Sequence, residues 1–185
     1  WDELQLTQVF RAPVAAQLQA SVVEPFAALR WHAELTAPMN VLTLIHPDWP
    51  AQKLGGKLQA SGSLTDYRLN LDARIEADNQ PPAAVTAIAQ GDAMGLRIEN
   101  AEMRTLDGLI QAQGELAWAP HLAWEMQVNA DGIDPGNYWS DWPGKLSAQV
   151  HSSGSLAEPG LTMSARIHQL DGVLRGYPVS GDMAL

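Results

Sequence analysis

With 185 residues, 46% of them apolar and 17% charged, the chain has the make-up of a folded body rather than a disordered one. Acidic residues outnumber basic ones, 21 against 11, and no Lys/Arg cluster stands apart from that balance, which excludes a nucleic-acid or anionic-membrane surface. The absence of Cys removes disulfides, thiolate metal sites and Cys nucleophiles, while leaving the compartment open.

From the N-terminus, Val14, Ala16, Leu18, Ala20 and Val22 alternate with polar neighbours, a pattern that suits a strand or a short helix. Strict alternation follows in Leu29, Trp31, Ala33 and Leu35, and again in Tyr67, Leu69, Leu71, Ala73 and Ile75. It returns in Ile110, Ala112, Leu116 and Trp118, in Leu122, Trp124, Met126, Val128 and Ala130, and in Leu161, Met163, Ala165 and Ile167. Period two places each apolar set on one face of a strand and the intervening polar residues on the other. Weaker strands are predicted over Leu54–Ser61, Val85–Ala89, Met94–Ile98 and Leu146–Ser152. Turns are predicted at Pro47-Asp48, Gly55-Gly56, Pro81-Pro82, Asp107-Gly108, Asp131-Gly132, Asp134-Pro135-Gly136, Pro143-Gly144, Pro159-Gly160 and Asp171-Gly172. The whole reads as one continuous all-β body.

The chain also repeats itself. Asp48-Trp49-Pro50 returns as Asp141-Trp142-Pro143, and Trp31 returns as Trp124, both 93 positions on (142 − 49 and 124 − 31). Gly62-Ser63-Leu64 and Ala73-Arg74-Ile75 return as Gly154-Ser155-Leu156 and Ala165-Arg166-Ile167, now 92 positions on (154 − 62). Such self-similarity marks an array of stacked units whose binding surface runs along the array. We expect modules at about 25–117 and 118–185, the second truncated, in an excised piece of a longer protein whose targeting segment lies elsewhere. No run of about 18 apolar residues and no charged-then-apolar leader occurs.

Chemistry-bearing constellations are thin. His32 and Glu34 share the polar face of one strand, an arrangement more often solvated than metal-binding. Asn129, Asp131 and Asp134 faintly resemble a calcium turn, but the repeat places Pro38 and Val41 opposite the two Asp residues, which favours a plain turn. The five His residues have no ligand spacing, and no Gly-x-Ser-x-Gly elbow, Walker loop or dinucleotide fingerprint is present. No enzyme and no cofactor is expected. The Asp-Trp-Pro turns admit two readings: an exposed Trp that stacks on sugars or a membrane interface, or a plug folded back over the module end, which repetition favours.

Alternating strands must bury their apolar face against something. A closed sandwich or barrel does so with protein. An open, curved sheet leaves a long apolar trough that needs a hydrophobic ligand. On pattern alone the closed forms, being commoner, come first.

The second module carries recognisable text: Ala130-Asp131-Gly132-Ile133-Asp134-Pro135-Gly136, Trp142-Pro143-Gly144-Lys145-Leu146, Gly154-Ser155-Leu156, and Leu174-Arg175-Gly176-Tyr177-Pro178-Val179-Ser180-Gly181. The order of these turn texts resembles the central repeats of the TamB family of Gram-negative bacteria, from about Pro25 onward. The first module matches more loosely, with Met39-Asn40-Val41 in place of Gly-x-Asp-Pro. The resemblance implies an inner-membrane-anchored periplasmic protein and a curved, taco-like β-groove of the AsmA-like and bridge-like lipid-transfer type. It also implies phospholipid transport between the membranes, a link to outer-membrane protein assembly, and contact with the barrel TamA through regions outside this chain. It reverses the preference between sandwich and groove. The expected lining is Leu29, Trp31, Leu35, Leu69, Leu71, Ile75, Leu96, Ile98, Ile110, Leu116, Leu122, Met126, Val128, Leu161, Met163 and Ile167, with Asp48, Trp49, Pro50, Asp141, Trp142 and Pro143 as repeat joints. Partners would be phospholipid acyl chains, not nucleic acid. Rival readings are a scaffold that pairs with nascent outer-membrane strands, and a purely structural β array.

Overall fold

A computed structural model of the chain describes residues 3–11, 15–23, 29–41, 52–63, 65–78, 80–157 and 160–184. The predicted turns at Pro47-Asp48 and the joint Asp48-Trp49-Pro50 lie outside them. The chain divides into two compact units, Trp1–Ala93 and Met94–Leu185. The first holds β1 (Glu3–Phe10), β2 (Ala16–Val23), β3 (Arg30–Val41), β4 (Gln52–Gly62), β5 (Tyr67–Ala77) and β6 (Gln80–Gly91). The second holds β7 (Gly95–Thr105), β8 (Gly108–Ala117), β9 (Leu122–Ile133), β10 (Gly144–Ala157), β11 (Gly160–Leu174) and β12 (Tyr177–Ala184), with one 3-10 turn at Pro135–Asn137.

In each unit every strand pairs antiparallel with the next in sequence, an open meander rather than a closed sandwich. This is the all-β, groove-type sheet expected from the resemblance. Of the segment that alternates from Val14 to Val22, the part from Ala16 onward is strand and not helix, and Val14 lies outside the described residues.

The two units echo each other in detail. A bulge sets Pro38-Met39 of β3 against a single residue of β4, where the ladder steps from Ala37↔Gly56 to Asn40↔Leu54. Another sets Asp131-Gly132 of β9 against one residue of β10, where the ladder steps from Ala130↔Ala148 to Ile133↔Leu146. The two bulges are 93 positions apart (131 − 38), in the period of the sequence repeat. Extra residues of this kind bend a strand and restore the facing of its side chains beyond the bulge.

Four predicted turns lie inside strands instead. Gly55-Gly56 sits within β4, where Leu54 and Leu58 keep their alternation against Ile75 and Leu71. Pro81-Pro82 falls at the start of β6, beside a bulge, because the chain has already reversed at Asp78. Asp131-Gly132 is the β9 bulge, with Gly132 left-handed at φ 63°. Asp171-Gly172 belongs to β11, whose reversal comes at Arg175-Gly176, both with positive φ as a two-residue hairpin turn requires. The Asp107-Gly108 turn is present one residue earlier, at Leu106-Asp107.

Candidate functional site

Partners in a ladder share a face, so the register fixes which side chains stand together. In the first unit one face presents Leu4 and Leu6 of β1, Leu18, Ala20 and Val22 of β2, and Trp31, Ala33 and Leu35 of β3. It continues through Leu58 and Ala60 of β4, Leu69, Leu71, Ala73 and Ile75 of β5, and Ala83, Val85, Ala87 and Ala89 of β6. The opposite face carries His32 and Glu34, Lys57 and Gln59, and Arg68, Asn70, Asp72 and Arg74.

The second unit repeats the division. Leu96 and Ile98 pair into Leu116 and Gly114, Ile110 and Ala112 into Ala130 and Val128, and Leu116 and Gly114 into Trp124 and Met126. Val128 then pairs with Val150, which pairs in turn with Ile167, and Leu122 with Leu156, which pairs with Leu161, while Met163 stands opposite Gly154. Of the sixteen expected lining residues, all but Leu29 therefore stand on the apolar face of their own unit. Leu29 lies half-buried immediately before β3 and has no place in the ladder.

Little protein covers these faces. Among the described residues only Ala73 and Ala89 of the apolar set are buried, at 8% and 5% exposure. Large side chains of the same faces remain open, with Leu161 at 62% and Met163 at 65%. A sandwich core would have brought Leu and Ile near zero. Three polar side chains on the apolar faces have hydrogen-bond partners. The Trp31 indole N–H donates to the Ser63 carbonyl at 2.8 Å, and that of Trp124 to the Ser152 hydroxyl at 3.2 Å. Asn40, brought to this face by the β3 bulge and buried, donates to the carbonyls of Ala15 and Pro38 and accepts from the Ala15 N–H.

Several lining residues escape the sequence reading. Strand β1, with Leu4, Leu6 and Phe10, and strand β12, with Val179 and Met183, have alternation too short or too interrupted by Gly and Ser to stand out. Met103 is hidden because a bulge after Ile98 shifts the parity of β7.

On the polar faces several carboxylates have hydrogen-bond or ion-pair partners. Glu34 accepts from Lys57 at 3.0 Å and from Gln59 at 2.9 Å, and these contacts, Lys57 first, hold its carboxyl below the usual range. Asp131 accepts from the Ser147 hydroxyl, and Asp134 from the N–H groups of Gly136 and Gly144. Among the described residues no three His, Asp or Glu side chains converge as metal ligands would.

The second of the expected joints, Asp141-Trp142-Pro143, lies in the β9–β10 loop. From the Asp134 anchor the β9–β10 loop runs through the 3-10 turn. The N–H groups of Tyr138 and Trp139 donate to the Pro135 carbonyl, and that of Trp142 to the Trp139 carbonyl. Asn137 donates to Asp107 of the β7–β8 turn, and Pro143 accepts from the Arg175 N–H of the β11–β12 turn. The Arg175 guanidinium lies 5.4 Å from the centre of the Trp142 ring.

All 185 residues match the family model described as TamB, N-terminal domain. The chain belongs to the TamB family. Among curated proteins it is similar to the translocation and assembly module subunit TamB of Haemophilus influenzae, 23% identical over 124 residues. That alignment covers 66% of this chain and 10% of the relative, so the chain spans about a tenth of the length of that TamB. No solved structure matches. Membership of this family accords with the open β architecture, and no helix among the described residues is long and apolar enough to cross a membrane.

Proposed function

We propose that this chain is a segment of a periplasmic β-groove that carries phospholipid tails between the inner and outer membranes, within an inner-membrane-anchored protein. The observation that carries the reading is the near absence of buried apolar residues on a sheet face that, within each unit, is apolar and continuous from strand to strand. Apolar surface of that extent calls for an occupant. An acyl chain laid against it gains about 0.8 kcal/mol per methylene removed from water, with no polar site needed along the way. The headgroup stays in solvent, and the Gln, Asn and charged residues of the opposite faces keep the segment hydrated. No bond is made or broken, so no catalytic group is required. In the full-length protein, contact with TamA would lie outside this segment.

Gentle purification, solvent extraction and mass spectrometry test the reading. The parent chain should yield phospholipid, and a Leu71→Asp, Val128→Asp variant should yield none at equal recovery of folded protein. Equal lipid in both, or an apolar face closed to a hydrophobic probe, overturns it.

A further inference from the structure

The β9–β10 loop carries three aromatic side chains that the lipid reading does not use. We propose that Tyr138, Trp139 and Trp142 form a stacking platform for a neutral oligosaccharide, a second binding site distinct from the apolar sheet faces. A Trp that closed the end of a module would be covered by it. Instead Trp139 is 59% exposed, Trp142 47% and Tyr138 45%.

Exposure here is combined with rigidity. The loop backbone is fixed by the two N–H groups that donate to Asp134, by the bonds from Trp139 to Pro135 and from Trp142 to Trp139, and by ties to the turns on either side. Tyr138 and Trp139 meet edge to face, ring centres 4.7 Å apart at 76°, which sets the attitude of both rings. Rings held in place before binding lose little freedom when a ligand arrives. The negative face of an aromatic ring attracts polarised hydrogen, whether of a cation or of the C–H groups along one side of a sugar ring.

The surroundings choose among occupants. A protein anchor of Trp and Tyr is ringed by contacts that exclude water. Here the residues interleaved with the rings are Asn137, Ser140 and Asp141, and Arg175 lies over Trp142, all hydrogen-bonding groups suited to hydroxyls. A membrane-interface loop would ring its aromatics with an excess of Lys and Arg facing anionic lipid, whereas here the charge of Arg175 is offset by neighbouring carboxylates. This loop carries Asp141 and leans on Asp107, in a chain with a formal charge of −10, which disfavours any polyanion. Of the three rings only Trp142 has a counterpart one period earlier in the sequence, Trp49, while Ile45 and His46 stand at the positions of Tyr138 and Trp139, so the platform belongs to this loop and not to the repeat.

Neutral tetrasaccharides of glucose and of N-acetylglucosamine, in β1,4 and α1,4 linkages, would be titrated into the purified chain and followed by tryptophan fluorescence and calorimetry. At least one should bind saturably in the millimolar range or tighter. Trp139→Ala should weaken that binding at least about tenfold, with unchanged circular dichroism and melting, because its backbone bonds survive the substitution. Trp142→Ala should act in the same direction, and bound phospholipid should be unaffected in both variants. Failure of every sugar to bind, binding indifferent to Trp139→Ala, or aromatic-dependent binding to neutral phosphatidylcholine vesicles instead would each overturn the proposal. None of these results bears on the acyl-chain reading, which rests on other residues.

Discussion

The indole of Trp124 lies over Gly154 on the neighbouring strand, so close that a β-carbon on Gly154 would stand 2.4 Å from two atoms of the ring. The first unit has the same cross-strand pair in Trp31 and Gly62. A large ring over a bare backbone fills the gap a glycine leaves in a strand, and the period of the repeat preserves both members. Gly154→Ala should therefore push the Trp124 ring from its bond to Ser152 and cost about 1–3 kcal/mol in a urea titration. Gly160→Ala is the control, since nothing lies within 4 Å of a β-carbon there. Equal stability of the two variants would show that the ring does not depend on the glycine.

Asn40 supplies a second test, because its side chain imitates a strand. It bonds both the N–H and the carbonyl of Ala15, at 2.9 and 2.8 Å, beyond the point where the β2–β3 ladder ends at Gln17↔Thr36. Asn40→Ala leaves those part-buried groups without these partners and should cost about 1–3 kcal/mol. Amide exchange should accelerate at Ala15 and the first residues of β2, while β5 is unaffected. Uniform acceleration across the unit would contradict this local role.

Glu34 makes stability depend on acidity in a definite direction. Lys57 and Gln59 depress its carboxyl below 4.5 in the folded chain. A depressed carboxylate contributes stability above its unfolded pKa and loses it as pH falls through the folded value. Glu34→Gln should thus lower stability at neutral pH and converge with the parent well below pH 4.5. The difference should shrink with added salt, since the pair is open to solvent. Chemical denaturation at neutral and acid pH, with and without salt, reads both trends.

How far the fold is legible in the sequence depends on what each residue must satisfy. Tyr67, Leu69, Leu71, Ala73 and Ile75 alternate without interruption, so the strand and its apolar side follow directly, and the register places them together. Met103 stands on the same kind of face but is hidden, because a bulge between Ile98 and Ala101 breaks the period that reveals the others. Gly55-Gly56 and Asp171-Gly172 have the chemistry of turns yet lie in strands, since ladder pairing on both sides outweighs local preference there. The choice between an open sheet and a sandwich was not legible from alternation, because both need one apolar face per strand. Exposure of Leu161 and Met163 separates them, and that quantity exists only in three dimensions.

The proposed conduit makes its sharpest demand on neighbouring residues. Leu71 and Asn70 are adjacent in β5 but face opposite ways, Leu71 paired with Leu58 and Ala87 on the apolar face, Asn70 with Gln59 and Ile88 on the other. Leu71→Asp places a carboxylate where acyl chains would pass, and an unpaired charge in an apolar path costs several kcal/mol or forces protonation. Asn70→Asp introduces the same group one residue away, into solvent. In the full-length protein, in cells lacking the native copy, Leu71→Asp should abolish lipid transfer to the outer membrane at normal protein levels. Asn70→Asp should retain it. Transfer unchanged by Leu71→Asp would count against the apolar face as the path, and loss in both variants would point to general sensitivity of β5 to charge. A difference that follows side-chain facing, and not position along the chain, is what a groove lined on one side requires.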